Sequence, residues 1–499
     1  MSKRIALIFT LALPLFASAA TLTISVTPTD KSTPLPCRIH LENSAGEAIL
    51  PDTYPAFKTH FTCEGTATLS LPSGSYTYAI EKGPEFTRAS GTVTLEDNTP
   101  AKISATLQRI ANMAAEGWWS GDLHVHRPPE DIELLMRAED LHIAPVITWW
   151  NKKNRWQDRP LPANPLVRFD GNRYFHLMAG EDERDGGAFN FFGLDHPIDI
   201  TAGERFYPCQ AHYIPEARRR GASVELEKPF WWDAPIGIGL GFVDSIGIAN
   251  NHMWRHGMLD NEAWGRPRCH ESSPAAHANG IWTQEIYYHV LNAGLRIPPS
   301  AGSASGVIPN AVGYNRVYVQ LDEPLDHDAW WEGLRAGRSF VTNGPLLRVT
   351  ADGELPGHVF RASANEPLII PLMGLLDSNA PVSTVQIVKN GRVVQELPTD
   401  KFTDESAATT ITFTESGWFL VRAFADVDHT FRFASTAPFY VEIGNTPRTV
   451  RRESVAFFLD WIDERNARVD VPEAQRRDIM VYHDKARAFW EGLLANAVY

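Results

Sequence analysis

The sequence predicts a multidomain protein of α/β and all-β character, in which a distorted (β/α) barrel is flanked by two β-sandwiches and followed by C-terminal helices. Short alternating runs between Pro, Gly and Asn turns, at residues 21–110 and again at 348–446, are typical of antiparallel sandwiches. Over residues 111–347, strand-like runs alternate with helical patterns, which implies a mostly parallel sheet closed into a barrel. At 499 residues, 43% of them hydrophobic, the chain is long enough for several cores.

Residues 1–20 are typical of a secretory signal peptide. Lys3 and Arg4 precede an apolar run over residues 5–16, and a small-x-small processing pattern follows at residues 17–19. The run is shorter than the roughly 20 apolar residues that span a membrane, which disfavours the alternative of a retained anchor. We therefore expect an exported protein, periplasmic or extracellular, with no membrane span after cleavage.

The N-terminal sandwich is predicted from runs such as residues 66–71, where apolar and polar side chains alternate. This segment resembles carboxypeptidase-regulatory-like modules. It contains Cys37 and Cys63, which can form a disulfide in an oxidising compartment, whereas Cys209 and Cys269 can remain buried thiols.

The barrel region opens with a helix that begins at residues 128–131, where two prolines and two acidic residues suit a helix N-terminus, and Ile132, Leu135 and Met136 form its apolar side. Further elements are predicted as strands at 143–148, 222–226 and 243–250 and as helices at 209–220 and 282–292.

The C-terminal sandwich is predicted from the Asn390-Gly391 hairpin signal between two apolar runs. Over residues 447–499, apolar side chains recur at helical spacing, first around Phe458 and again around Trp490. We expect two helices that pack onto the body of the protein.

The charge balance disfavours a nucleic-acid partner. The formal net charge is −14, and phosphate binding needs clustered Lys and Arg. The one notable basic run, residues 218–220, suits the solvated C-terminal end of a helix.

A His-x-His pair, His124 and His126, is the strongest indication of chemistry. Side chains two residues apart on a strand point to the same side, so the two imidazoles can share one metal ion. Glu181, Glu227 and His252 follow later predicted strands, and in a barrel the carboxyl ends of the strands gather on one face. The sequence therefore predicts a metal site built from these five side chains.

This mixture of imidazole and carboxylate suits zinc, manganese or iron better than magnesium or calcium. We expect one divalent ion, or two if Glu227 bridges them. Such an ion lowers the pKa of its bound water towards about 7, which allows hydrolysis without a Ser or Cys nucleophile. The chain has no Gly-x-Ser-x-Gly elbow between a strand and a helix, so a serine hydrolase has little support.

Three more side chains are candidates for catalysis. Asp122 can ligate, orient an imidazole or receive a proton, or it can cap the following loop. Lys228 can stabilise an oxyanion or pair with the neighbouring carboxylate. Arg184 can hold an anionic substrate group, although a solvated turn also explains its charged segment. The tryptophan pairs at 149–150 and 231–232 can wall an apolar or aryl pocket, or serve packing alone.

Taken together, five motifs resemble the carbaryl-hydrolase-like metallohydrolases of the PHP (polymerase and histidinol phosphatase) superfamily, over about residues 115–360. The resemblance implies a distorted (β/α) barrel, divalent metals and hydrolysis of ester, carbamate or phosphoester bonds, with His124, His126, Glu181 and His252 at metal positions. The motifs are Gly121–His126, Gly180–Arg184, Glu227–Pro229, Asn250–His252 and Arg338–Pro345.

The chain departs from the family at three ligand positions. Thr148–Asn151 has two tryptophans where the family has Thr-Asp-His-Asn, Lys228-Pro229 replaces a His-Pro element, and Ala304–Gly306 replaces a late Asp-x-His. A site with three metals is therefore not expected.

The sequence supports three functions. The leading hypothesis is an exported metal-dependent hydrolase that acts on an ester, carbamate or related acyl bond of a small, aryl-bearing substrate. The first alternative is a phosphoesterase, favoured by Arg184 and Lys228. The second is a degenerate barrel that binds carbohydrate or a surface, favoured by the missing ligands.

Overall fold

The structure is a computed structural model that describes residues 19–268, 275–403, 407–445 and 448–497. Most of the predicted signal segment, residues 1–18, and Cys269 lie outside the described residues. The chain divides into two compact units. The first comprises the described residues up to Ile80 together with Ala89–Leu107, and the second comprises Glu81–Arg88 and the chain from Gln108 onward.

The first unit contains two sheets, one of order β5-β1-β8 and one of order β3-β4-β2-β6-β7. Its strands are β1 (Ala19–Pro28), β2 (Cys37–Asn43), β3 (Ala56–Phe57), β4 (His60–Cys63), β5 (Thr66–Pro72), β6 (Gly74–Glu81), β7 (Ala89–Leu95) and β8 (Ala101–Leu107). Every second residue of β5 is buried, as its alternating sequence predicts. Cys37 and Cys63 face each other across β2 and β4, with their sulfur atoms 4.0 Å apart.

Strands also predominate in the second unit. They are β9 (Trp118–Gly121), β10 (Ile143–Trp150), β11 (Lys153–Asn154), β12 (Leu166–Phe169), β13 (Arg173–Arg184), β14 (Gly187–Phe192), β15 (Ser223–Leu226), β16 (Ser245–Ala249), β17 (Met253–Trp254), β18 (Gly257–Met258), β19 (Pro299–Ala301), β20 (Arg316–Gln320), β21 (Ser339–Thr342), β22 (Leu346–Ala351), β23 (Val359–Ala362), β24 (Leu368–Asp377), β25 (Val382–Lys389), β26 (Arg392–Pro398), β27 (Ala407–Phe413), β28 (Gly417–Ala425), β29 (Phe433–Thr436) and β30 (Phe439–Ile443).

The helices of this unit are mostly short. The α-helices are α1 (Ile132–Glu139), α2 (Ile214–Arg219), α3 (Ala234–Gly239), α4 (Ala275–Asn292), α5 (His327–Arg335), α6 (Arg452–Arg468) and α7 (Glu473–Ala495). Single 3-10 turns occur at Met113–Glu116, Pro129–Asp131, Gln210–His212 and Thr399–Phe402.

Seventeen of the described strands join in one closed sheet of mixed direction. The pairs β10–β13, β15–β16 and β16–β19 are parallel, whereas β13–β14, β14–β15, β9–β20 and β20–β21 are antiparallel. Beside it lie a three-stranded sheet, β22-β24-β27, and the small hairpin β17-β18.

The predicted (β/α) barrel is therefore wrong, and so is its separation from the C-terminal sandwich. The strands β13 and β14 form a hairpin, and β14 pairs with β15 in the antiparallel direction although α2 lies between them in sequence. The pair β21–β29 joins a strand of the predicted C-terminal sandwich to a strand of the predicted barrel, within the same closed sheet. The architecture is predominantly β, with helices as minor elements.

The error has a physical cause in the segment around β14. Charge density at residues 181–187 predicts a solvated turn, yet most of this segment is buried in the hairpin, and Gly186 supplies the turn with a φ of 118°. Every residue of β14 is buried, so its sequence lacks the alternation that identifies a half-exposed strand.

The helices α6 and α7 lie where the apolar spacing predicts them, and they pack against α3. The rings of Phe458 and Trp490 stack with their centroids 4.4 Å apart, and Trp490 Nε1 donates a hydrogen bond to the carbonyl of Pro235 over 2.9 Å. Arg465 of α6 forms a buried ion pair with Asp233, 2.5 Å from Nε to Oδ1.

Candidate metal centre

The two histidines lie in the segment that follows β9. Val125 forms parallel bridges with Val146 on one side and Ser305 on the other, which holds the backbone extended. As the period of two predicts, His124 and His126 then point the same way, and their Nε2 atoms lie 2.9 Å apart.

Two glycines allow the neighbouring loop to approach this segment. A Cβ atom on Gly302 would lie 2.5 Å from the Cβ atom of His124. One on Gly306, where φ is +104°, would lie 2.8 Å from the backbone of His126. A larger residue at either position would therefore displace the histidines.

Glu181, near the end of β13, completes a group of three possible ligands. Its Oε2 lies 3.4 Å from His124 Nε2 and 3.2 Å from His126 Nε2. For metal bonds of about 2.0–2.1 Å, tetrahedral ligands stand about 3.3 Å apart, so these separations fit a zinc-like ion. Among the described residues this is the one such group of His, Cys, Asp and Glu, and we call it the metal centre.

The carboxylate of Glu181 supports this assignment. Both of its oxygens are buried, and neither forms a hydrogen bond with any described residue. A buried charge without hydrogen bonds is costly, whereas a cation placed between the oxygens and the imidazoles would satisfy it. The residues present therefore fit a divalent ion.

The charges of the centre are strongly coupled. Burial alone would lower the pKa of His124, but Glu181 and Glu227 hold it well above its usual value. Burial lowers the pKa of His126. Burial would raise the pKa of Glu181, but His124 holds it well below its usual range. Without a metal, a proton on His124 thus neutralises part of the carboxylate charge.

Glu227, predicted as a ligand or bridge, lies on the other side of His124. His124 Nδ1–H donates a hydrogen bond to Glu227 Oε1 over 3.0 Å, which leaves Nε2 to face the centre. A carboxylate in this position fixes the tautomer and orientation of a metal-binding imidazole. The structure thus places Glu227 behind a ligand rather than among the ligands.

Lys228 is buried and paired with carboxylates. Its Nζ contacts Glu227 Oε2 closely and lies 3.7 Å from Glu183 Oε1. Burial by itself would lower the pKa of Lys228, but Glu227 and then Glu183 raise it above its usual value. Of the two roles that the sequence allows, the structure favours pairing with the neighbouring carboxylate.

His252 lies outside the metal centre. Its Nδ1–H donates to the carbonyl of Leu259 over 3.2 Å, and its ring packs edge-on against Phe230 with centroids 5.0 Å apart. Burial and then the charge of Lys228 lower the pKa of His252 to about 4. His252 is not among the three side chains of this group, and its hydrogen bond through Nδ1 leaves Nε2 available, so its role as a ligand stays a prediction.

Asp122 has the loop-capping role. Its Oδ1 accepts hydrogen bonds from the backbone N–H groups of His124 and Ser303, and its Oδ2 accepts one from Gly313. The carboxylate therefore ties the histidine segment to the loop that carries Gly302 and Gly306, and none of its contacts is with a ligand side chain.

Arg184 points away from the metal centre, because it lies on the opposite face of β13 from Glu181. It forms a bidentate pair with Asp182, with distances of 2.7 and 2.8 Å, and it donates to the carbonyls of Glu204 and Pro208. Its donors are thus largely used within the protein.

Sequence reasoning missed two carboxylates, Glu183 and Glu225. Glu181 lies opposite Asn190 of β14, and Asn190 lies opposite Glu225 of β15. Burial and then the charge of Glu181 raise the pKa of Glu183 to about 7, and burial raises that of Glu225 to about 7. The signal was available, because each residue lies two positions from a predicted ligand and therefore on the same face of its strand.

Comparison with known proteins adds little. The chain matches no protein-family model and no curated protein. Among solved structures, a minor pilin of Streptococcus agalactiae (GBS52) superposes on 19% of this chain and 46% of its own, with 18% identity and a TM-score of 0.17. The pilus-presented adhesin Spy0125 superposes on 19% of this chain and 28% of its own, with 16% identity and a TM-score of 0.15. The Bacillus anthracis TIE protein superposes on 86% of this chain and 50% of its own, with 9% identity and a TM-score of 0.15.

The chain thus spans half or less of the length of these proteins, and at such TM-scores the superpositions establish neither a shared fold nor a shared function. Within the described residues, no helix is both long and apolar enough to cross a membrane.

Proposed function

We propose that the protein is a metal-dependent hydrolase that acts on an ester, carbamate or related acyl bond. The observation that carries this proposal is the convergence of His124, His126 and Glu181 around one point, with carboxylate oxygens that form no hydrogen bond. Catalytic zinc sites typically have three protein ligands, whereas structural zinc sites have four.

A divalent ion held there would supply an activated water molecule and an electrophile that polarises the scissile carbonyl. The chain's own residues would do the rest. Glu227 orients His124 through Nδ1. Glu183, on the same face of β13 as Glu181, places a carboxylate beside the centre that can accept a proton.

The phosphoesterase alternative loses support. It depends on Arg184 and Lys228 as free cations, and both are paired with buried carboxylates. The binding-scaffold alternative gains from the same observation, because no free cation among these candidates is left to stabilise a developing negative charge. A protein that holds a metal for stability and binds carbohydrate or a surface is therefore the second candidate.

The first experiment measures metal content. The protein is purified without chelator, and elemental analysis is applied to the wild type, His126→Ala and Glu181→Gln, with His196→Ala as the control because His196 is exposed. We expect about one zinc or manganese per chain in the wild type and the control, and none in the other two variants, with unchanged circular dichroism. Equal metal content in all four proteins would refute the metal centre.

The second experiment separates the two candidate functions. Metal-loaded protein is tested on panels of aryl esters and carbamates. Turnover that disappears in His126→Ala supports the hydrolase. Full metal content without turnover, together with retention on a glycan array, supports the scaffold.

We also propose that the protein is exported to the periplasm or beyond the cell. This proposal depends on the pattern of residues 1–20. N-terminal sequencing of protein recovered outside the cytoplasm should begin at or next to Ala20, and an intact Met1 would contradict it.

A further inference from the structure

A cavity of about 660 Å³ lies in the second unit, within the range of about 300–1,000 Å³ that is usual for small-molecule sites. Two indoles, those of Trp150 and Trp264, line it together with four cationic and two acidic side chains. The excess of positive charge is opposite in sign to the net charge of −14 of the whole chain.

One indole connects the cavity to the metal centre, and the other connects it to Lys228. The ring of Trp150 lies 4.9 Å from the ring of His126. The ring of Trp264 lies 5.5 Å from that of Trp231, and Lys228 Nζ lies 4.1 Å from the centroid of Trp231. A ligand packed on Trp150 would therefore be separated from the metal centre by that one indole ring.

The exposure of Trp264 is unusual for so large an aromatic side chain, since 49% of its surface is accessible. Its position is fixed nonetheless. Trp231 forms a β-bridge with Gly265, and a Cβ atom at Gly265 would lie only 2.4 Å from the carbonyl oxygen of Phe230. The backbone thus holds an accessible indole at the cavity, where it can pack on a flat ring.

Most of the positive charge is already compensated. The paired cations of the lining are Arg184 with Asp182, Lys152 with Glu204, and Arg205 with Asp185. Lys153 differs, because within the described part of the chain it contacts no carboxylate, and its Nζ lies 4.8 Å from the centroid of Trp150. An ammonium group beside an indole can bind an anion attached to a ring.

We propose that the cavity binds a carboxylate that carries a six-membered ring with an apolar face, with the ring packed on Trp150 and Trp264 and the carboxylate paired with Lys153. This inference rests on the proposed hydrolase, because it names one part of the substrate, which also carries the ester or carbamate bond that is cleaved. Two sources share this chemistry, namely aryl carboxylates and uronate sugars.

The test is calorimetric titration of the full chain with benzoate and with glucuronate, each compared with its neutral counterpart, benzamide and glucose. Lys153 is exposed, and an exposed ion pair contributes about 0.2–1 kcal/mol, the high end of which is a factor of about 5. We therefore expect at least one of the two carboxylates to bind up to about 5-fold more tightly than its neutral counterpart. Which one does so identifies the source.

Variants assign the preference to residues. Lys153→Gln should abolish the preference for the anion, and Trp264→Ala should weaken binding of both members of the pair about 5-fold. The matched controls are Lys401→Gln and Ile369→Ala, which change an exposed lysine and an exposed apolar side chain elsewhere, and they should bind like the wild type. Absence of any preference in the wild type, or its persistence in Lys153→Gln, would overturn the inference.

Metal content is measured on the same samples, so the two proposals can fail separately. Stoichiometric metal without a preference for the anion overturns the cavity proposal alone. A preference that depends on Lys153, in protein that binds no metal, overturns the hydrolase and leaves the binding site supported.

Discussion

Replacing Lys228 with methionine should destabilise the metal-free protein strongly and make its stability depend on metal. Lys228 is 2% exposed, and its ammonium group is the fixed cation between Glu227 and Glu183. Removing one partner of a buried ion pair typically costs about 3–5 kcal/mol, because the remaining charge is left without compensation. We expect a loss of that order in the free energy of unfolding.

The metal should restore part of this loss. A ligand that binds only the folded state at 100 times its dissociation constant stabilises it by about 2.7 kcal/mol. Without Lys228 the carboxylates have more uncompensated negative charge, so the gain on adding zinc or manganese should be larger in Lys228→Met than in the wild type. Because carboxylates can also take up protons, the loss in the free energy of unfolding caused by Lys228→Met should be smaller at pH 6 than at pH 8.

The assay is urea unfolding followed by tryptophan fluorescence, with and without metal. Lys401→Met, at an exposed position, is the control and should unfold like the wild type. If Lys228→Met is as stable as the wild type without metal, or gains no more from metal, the arrangement of charges described above is incorrect.

Three further predictions concern other parts of the chain. Burial, and then the charge of Asp140, raise the pKa of Glu85 to about 7 in the folded protein. The free energy of unfolding should therefore fall as the pH rises from about 4.5 to about 7. In urea titrations, Glu85→Gln should reduce this pH dependence by up to about 3 kcal/mol. The thiols that face each other across β2 and β4 should be oxidised to a disulfide in protein recovered from an oxidising compartment, which lowers the mass by about 2 Da. Reduction of the disulfide should lower the free energy of unfolding by about 3–4 kcal/mol. An unchanged mass would contradict the pairing. Gly306→Ala should lower the metal affinity at least about 10-fold, because the new methyl group meets the backbone of His126. The affinity is measured by competition with a chelator. Gly193→Ala is the control and should not change it, because Gly193 also has a positive φ but has open space around it.

Local patterns predicted the parts of the molecule that depend on local geometry. The His-x-His spacing was sufficient to place two imidazoles together, and the apolar spacing around Phe458 and Trp490 predicted α6 and α7. The pairing of distant strands was not predictable in this way. In fully buried strands such as β14, apolar and polar residues do not alternate. Their composition also does not indicate whether the neighbouring strand is parallel or antiparallel.

The candidate site shows the same division. Glu181 was found because it follows an apolar strand, but the role of Glu227 depended on which nitrogen of His124 it approached, and that of Lys228 on its pairing with Glu227. A carboxylate near a histidine can be a ligand or can orient one, and only the geometry distinguishes these roles. His252 had equally good local signals, but it is not among the three side chains that lie together.

The turn at Gly186 extends this reasoning to the assembly of the protein. The backbone N–H of Asp233 donates to the carbonyl of Gly186, and the Asp233 side chain is held by Arg465. The hairpin that carries Glu181 is therefore held in place by α6, which is synthesised more than two hundred residues after it. A nascent chain contains the two histidines and the glutamate well before it contains α6. We therefore expect metal to bind only after α6 has been synthesised. Proteolytic removal of α6 and α7 from the finished protein should release the metal.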